Sequence, residues 1–297
     1  MKYSKNEFLM WTNITISVIS DTNPLEDIHN SFGLIYSLEK EFSRFSNLSD
    51  LSLLNKEKEL ELSNRFIKIF NIVKTIYKET DGYFNPLMNL KNIWYAEDFR
   101  KWIFDKKEEL QDIDIEKISV NQNKIKLWKN QNIDLWWIVK WYAVDLVSEY
   151  LKEKWYIDFI INAWGDIFIS WKNKNGDVPV VAIDSPFNKK KILAVLEVTN
   201  KAISTSWTYK RKWNVENENF HHILNPKTNS NNNEIISISL VSDKCYIADA
   251  YATACIAMWI EKSLVFLKKQ NIDWIIIWTD GNTYETKWLK DYNLEII

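Results

Sequence analysis

The sequence predicts an α+β fold, in which mixed and antiparallel sheets carry packed helices in a single compact unit. Three observations predict it. Residues 13–20 (Asn-Ile-Thr-Ile-Ser-Val-Ile-Ser) alternate apolar and polar side chains, the pattern of a half-buried strand. Residues 63–79 carry an apolar stripe at the 3.6-residue spacing of an amphipathic helix. Strand-like runs and hairpins then mix with helical segments instead of repeating one strand–helix unit.

The elements follow in order. After the strand at 13–20, residues 27–45 show helical spacing with abundant charge, and 63–79 form the second helix; both should pack on a sheet. Residues 105–131 are polar and form a surface excursion, with a short strand at 124–127. A helix is expected at 143–154, then strands at 157–162 and 167–169. Further strands are expected at 178–183, 192–198 and 235–241. Alanine-rich 248–257 begins a helix that runs on towards Lys269, and 274–278 makes a final buried strand. Asn-Ser-Asn-Asn-Asn at 229–233 is a polar loop tip, and no period marks a repeat.

At 297 residues the chain buries a substantial core, as one unit over 1–297 or as two intimately packed halves. Lys and Arg number 38 against 40 Asp and Glu, a net charge of −2. That balance argues against a general nucleic-acid or acidic-membrane binder. Cys245 and Cys255 are too few for a disulfide framework and lack metal-site spacing, so both are expected as buried free thiols. No stretch is long and apolar enough to span a bilayer, and the first ten residues contain no apolar signal core; as given, the chain is expected to be cytoplasmic.

Tryptophan is the anomaly. There are 16 tryptophans and only 5 glycines, and several tryptophans stand where the backbone calls for glycine. Trp136, Trp137 and Trp141 crowd one short segment, 134–145 (Asp-Leu-Trp-Trp-Ile-Val-Lys-Trp-Tyr-Ala-Val-Asp), and Trp207 interrupts the loop-like Ser-Thr-Ser-Trp-Thr-Tyr-Lys at 204–210. An indole needs burial and an N–H partner, whereas glycine alone visits positive φ freely. The chain is also rich in Asn, Ile and Lys, the residues of AT-rich codons, and some AT-rich bacterial lineages read UGA as glycine. Translation of UGA as tryptophan would produce this pattern. The alternative is a Trp-rich glycan-binding module that uses exposed indoles as stacking platforms. Trp94, in an apolar pattern, reads as an ordinary core residue.

Candidate chemistry gathers around these segments. Asp249 and Thr253 stand four apart, so one helix face offers a carboxylate and a hydroxyl to a hard cation such as magnesium; a capping Asp and a self-bonded Thr are the bland alternative. With glycines for tryptophans, 134–145 becomes a strand end, a glycine turn and a helix start that carries a cation. Ser204, Thr205 and Ser206 make a weak candidate phosphate cradle, and His222 is one of 3 histidines.

In combination these residues resemble the bacterial FAD:protein FMN transferases, the ApbE-like flavin transferases. Met10-Trp11-Thr12 matches the family's Met-Gly-Thr; residues 41–55 (Glu-Phe-Ser-Arg-Phe-Ser through Leu-Leu-Asn) match its first helix region; and Thr-Asp-Gly-Tyr-Phe-Asn-Pro at 80–86 matches Thr-Gly-Ala-Phe-Asp-Pro. The central motif at 134–145, Ile-Asn-Ala-Trp-Gly-Asp at 161–166, Ser-Thr-Ser-Trp-Thr-Tyr at 204–209 for the family's Thr-Ser-Gly, His-Ile-Leu-Asn-Pro at 222–226 and Asp-Ala-Tyr-Ala-Thr at 249–253 follow in order. Trp11, Trp136, Trp137, Trp141, Trp164 and Trp207 all fall on family glycines.

The resemblance implies an ApbE-like, T-fold-like architecture and Mg²⁺-dependent transfer of FMN from FAD, as substrate, to a Thr or Ser hydroxyl of an acceptor protein, with release of AMP. It implies Asp249 and Thr253 as side-chain metal ligands, completed by the main-chain carbonyl of Trp137. Met10, Phe45, Tyr83, Phe84, Asn85, Asp134, Lys140 and Ile223 match FAD-contacting positions, and His222 is the candidate for helping to deprotonate the attacking hydroxyl. Family members are often exported and membrane-anchored. The departures are Phe45, where an aromatic with a hydroxyl is common, and Asn85, where Asp is usual. A non-catalytic FAD carrier or sensor and an FAD pyrophosphate hydrolase are the alternative functions.

Overall fold

The computed structural model describes residues 1–87, 112–171, 178–188, 191–209, 212–215, 218–286 and 292–297. Trp94 and residues 105–111 lie outside the described residues. Its centre is an eight-stranded sheet in the order β1-β2-β6-β7-β10-β13-β14-β15. The strands are β1 (Lys2–Leu9), β2 (Thr12–Ile19), β6 (Asp158–Ala163), β7 (Asp166–Ser170), β10 (Lys201–Trp207), β13 (Ile235–Ser242), β14 (Asp273–Trp278) and β15 (Thr283–Glu285). Every pairing is antiparallel. Two hairpins turn in only two residues: Met10 and Trp11 between β1 and β2, and Trp164 and Gly165 between β6 and β7.

Four helices surround the core face of this sheet. They are α1 (Leu25–Phe42), α3 (Asn64–Glu79), α4 (Trp136–Glu153) and α5 (Cys245–Ala257). α3 starts where the Ser63 hydroxyl accepts the Phe66 N–H at 3.0 Å, a side-chain N-cap, and buries the stripe Phe66, Ile69, Phe70, Val73 and Ile76. α5 has small residues on most sides and lies against α4, β10 and β13, with Ala248, Ala250, Ala252 and Ala254 all buried. Its own N-cap residue makes no side-chain cap. Asp145 of α4 supplies one: its carboxylate accepts the N–H groups of Cys245 at 2.9 Å and Tyr246 at 3.0 Å. Burial pushes the Asp145 carboxyl up to about 7, against the pull of those two N–H groups. This bond fixes the two helices that carry most of the site.

The opposite face of the large sheet is covered by β8 (Val180–Asp184), β9 (Ile192–Glu197) and β16 (Glu295–Ile296), in the order β16-β9-β8. Val181, Ile183, Ala194 and Leu196 pack there against Ile169, Ile203, Val241 and Ile275. The remaining elements are α2 (Asp50–Glu57), a 3₁₀ turn (Ile115–Lys117), the small sheet of β3 (Glu59–Glu61), β4 (Ser119–Asn121) and β5 (Lys124–Lys126), the hairpin of β11 (Lys212–Val215) and β12 (Glu218–His221), and α6 (Ile260–Gln270).

The α+β class and most expected elements hold, with instructive differences. The loop-like 204–207 is the end of strand β10: Ser204 and Ser206 are buried, and the Thr205 hydroxyl meets that of Ser239 across the ladder at 2.8 Å. The helix expected from 143 begins at Trp136, so the expected turn at 136–141 is helical; the Asp134 carboxylate accepts the Trp136 N–H at 2.9 Å and starts it. The single helix expected from 248 is two, α5 and α6, parted at Met258 and Trp259 in extended backbone, and Glu234 accepts the Ile260 N–H at 2.9 Å to start the second. The helix expected to 45 stops at Phe42, with Ser43 extended, which releases Arg44 and Phe45 towards the site. Both cysteines are buried free thiols, as expected. Among the described residues no helix is long and apolar enough to cross a membrane.

Candidate active site

The C-terminal end of β10, the first turns of α4, the middle of α5 and the two hairpin turns converge on a cavity of about 730 Å³. Every FAD-contacting, metal-binding and catalytic position that the sequence resemblance implied lines it. That convergence comes from six separate stretches of chain.

One end of the cavity is acidic. Asp249 and Thr253 project one turn apart from α5, and the Thr253 hydroxyl lies 3.2 Å from that of Ser206 on β10. Asp166, the first residue of β7, is buried beside them and accepts the Thr205 N–H at 3.1 Å. Burial raises the Asp249 carboxyl well above its usual range and the neighbouring Asp166 charge raises it further, while Lys140 and the Trp141 indole N–H pull it down. Asp166 is raised as well, chiefly by burial, against Lys140, the Thr205 N–H and Ser204. Two buried carboxylates thus share one ammonium group, with two hydroxyls alongside. Such a hard-oxygen set fits a divalent cation of the magnesium or calcium type. Among the described residues no cluster of three or more His, Cys, Asp or Glu side chains forms, so any such ion would complete its shell with hydroxyls, main chain, water or substrate.

Trp137 sits half-buried in the first turn of α4. In an α-helix its carbonyl points along the axis towards the fourth residue on, so its use as a ligand requires that turn to open. Lys140, one turn along, lies 4.1 Å from the Trp141 ring centroid and 5.5 Å from that of Trp164.

The other end is aromatic and cationic. The Arg44 guanidinium bonds Asp134 at 2.8 Å and lies over Phe45 and Trp137, 4.9 and 5.6 Å from their ring centroids. Outside the cavity's lining, Lys227 and Lys262 both reach Asp81 at 2.7 Å and lie within 4.7 and 4.6 Å of the Tyr83 ring centroid. Asn85 donates to Ile113 O at 3.0 Å and accepts the Leu87 N–H at 2.9 Å, so its amide shapes the loop that presents Tyr83 and Phe84. Met10 is fully buried at the first hairpin, and Ile223 is buried beside the histidines.

The two histidines divide their roles. His221 is buried, with Nε2 3.0 Å from Asn232 O and Nδ1 accepting the Ile223 N–H at 3.2 Å, a structural arrangement. His222 faces the cavity between the rings of Trp137 and Trp207, whose centroids lie 6.1 and 5.4 Å away. Sequence reasoning named His222 and missed Arg44 and Asp166. Both lie inside quoted motifs, but only the fold reveals their pairing with Asp134 and Asp249.

The model of the ApbE family matches residues 10–276. The chain belongs to the ApbE family. It is 26% identical over 254 residues to the FAD:protein FMN transferase of Buchnera aphidicola subsp. Schizaphis graminum, covering 81% of this chain and 74% of that protein. With the FAD:protein FMN transferase of Vibrio cholerae serotype O1 it shares 24% over 262 residues, covering 85% and 76%. Among solved structures, the flavin transferase ApbE from Vibrio cholerae superposes with a TM-score of 0.82 at 20% identity, covering 98% of this chain and 99% of that one. The ApbE protein from Thermotoga maritima gives a TM-score of 0.85 at 20% identity over the same shares. These likenesses establish the family fold.

Proposed function

We propose that the chain is a Mg²⁺-dependent FAD:protein FMN transferase. The observation that carries this reading is the gathering of all the implied FAD, metal and base positions, from distant stretches of chain, around one cavity. In the reaction the acceptor's Thr or Ser oxygen bonds to the FMN phosphorus while the bond from that phosphorus to the bridging oxygen breaks. The bridging oxygen leaves with AMP, and the hydroxyl proton passes to a base, for which His222 is the candidate. Asp249, Thr253 and, after local opening, the Trp137 carbonyl would hold the ion, with Asp166 as a buried neighbour. Bound Mg²⁺ would neutralise pyrophosphate charge and hold the phosphorus for in-line attack. Lys140 balances the acidic end, and Arg44 holds the Asp134 carboxylate towards the cofactor. Incubation with FAD, Mg²⁺ and an acceptor protein should yield AMP and flavin-bearing acceptor in equal amounts. Free FMN in place of modified acceptor would make the protein a hydrolase, and intact bound FAD would make it a carrier.

We infer further that the tryptophans at the family's glycine positions, together with Trp155 outside those motifs, are glycines in the protein its own cells make, encoded by UGA. Backbone conformation supports this reading. Trp11, Trp155 and Trp164 have φ of 60°, 66° and 62°. Trp11 and Trp164 occupy two-residue hairpin turns, the connections that favour Asn-Gly and Gly-Gly. Trp155 ends α4 in the left-handed position of a Schellman motif: its N–H bonds Lys152 O at 2.9 Å and the Tyr156 N–H bonds Leu151 O at 3.0 Å. It is 89% exposed and does not line the cavity. UGG codons at 11, 155 and 164 would overturn this inference.

A further inference from the structure

Strand β8 is a sheet edge that forms part of the cavity wall. It is hydrogen-bonded to β9 on one side, and among the described residues no strand pairs with the other. The register fixes which main-chain groups are left over. The Val198 N–H donates to Pro179 O, and the pairs Val180↔Glu197, Val181↔Leu196 and Ala182↔Val195 continue from there. Bonded and non-bonded pairs alternate along an antiparallel ladder, so Val181 and Ile183 direct their main-chain groups to β9. The N–H and C=O groups of Val180 and Ala182 therefore point to the open edge. At Ala182, Ile183 and Asp184 that edge borders the cavity that also holds Asp249, Thr253 and His222.

We propose that the β8 edge binds the acceptor protein, by pairing with an extended segment that carries the Thr or Ser to be modified. This rests on the transferase reading above. A cavity filled by FAD leaves the second substrate to enter along a wall, and this wall presents unused donors and acceptors in strand geometry. Main-chain pairing holds a segment with little demand on its sequence, and the two-residue side-chain period turns alternate residues of the added strand to the same face. Val180 and Phe187, 59% and 58% exposed near the two ends of the edge, favour small or apolar residues on either side of the hydroxyl.

Two measurements test this. Ala182→Pro removes an N–H that faces away from β9, a substitution that sheet edges tolerate, and should raise the acceptor's KM about tenfold, the loss expected for one or two hydrogen bonds. With the unsubstituted protein, a peptide spanning the acceptor's modified residue should lose affinity when N-methylated at every second residue and keep it when methylated at the residues between, a period that side-chain docking would not produce. This second arm holds even if Ala182→Pro fails to fold. Normal transfer with no alternation in the methylated series overturns the docking proposal alone. No transfer at all by the unsubstituted protein overturns the transferase reading and this proposal with it.

Discussion

Trp11, Trp155 and Trp164 differ from Trp136, Trp137, Trp141 and Trp207 in what their positions ask of the backbone. The first group has left-handed φ and is exposed, by 42%, 89% and 55%. The second lies in ordinary helix or strand, within α4 and β10, and its indoles crowd the cavity, Trp136 and Trp141 being only 6% exposed; Trp11 and Trp164 line that cavity as well, so only Trp155 is set by its backbone alone. Glycine can be required for two separate reasons. In tight turns it is favoured by the main chain, whatever ligand is bound, because an L side chain at positive φ costs roughly 1–2 kcal/mol, a cost that Met10, Lys58 and Gln122 also carry here. Around a ligand it is required by space, and a bulky residue there folds well enough but occupies the ligand's room. The first requirement is visible in φ, the second only in what fills the cavity.

Substitutions separate the two groups, and the largest expected effect tests whether the cavity is a reaction centre at all. Asp249→Ala should abolish Mg²⁺-dependent AMP release and leave the fold intact by circular dichroism, because a hard cation loses a charged ligand. Wild-type turnover with unchanged magnesium dependence would remove the metal assignment. Next, His222→Ala should slow single-turnover AMP release by ~10²–10⁴-fold, the usual contribution of a general base, and weaken FAD binding much less. Equal losses would make His222 a cofactor contact, and an unchanged rate would make it structural.

Smaller effects bear directly on the tryptophans. Replacing Trp136, Trp137, Trp141 and Trp207 together by glycine should tighten FAD binding by about 10–10²-fold, since displaced bulk typically costs ~1–3 kcal/mol. Titration by flavin fluorescence measures it, and unchanged affinity would mean that the indoles leave the flavin site clear. The smallest effect belongs to the turn group: Trp155→Gly should stabilise the fold by about 1 kcal/mol in urea denaturation, with FAD affinity unaltered. Destabilisation would mean that the helix end gains more from the indole than it loses in strain.

Much of the fold was legible because burial imposes periodicity. The stripe of α3 and the runs of β13 and β14 announce themselves. β1 does not, since its pattern on the sheet edge is exposed or half-buried and holds no apolar run. The end of β10 is rich in Ser and Thr and was read as a loop; it is made a strand by pairing with β13, a long-range contact. The candidate site was legible through several short motifs in the right order, whose residues Met10, Asp134, Lys140 and Asp249 all line one cavity. Arg44 and Asp166 were not legible, because their importance lies in partners more than eighty residues away, 90 from Arg44 to Asp134 and 83 from Asp166 to Asp249 on α5. Trp155 lay outside every motif, and its signal was the helix end before it, where a left-handed residue is common.

The most direct test of the backbone requirement for glycine is peptide mass spectrometry of the protein purified from the cells that encode it, over the peptides containing positions 11, 155 and 164. Glycine at all three is the predicted result. Tryptophan at these left-handed positions would contradict it.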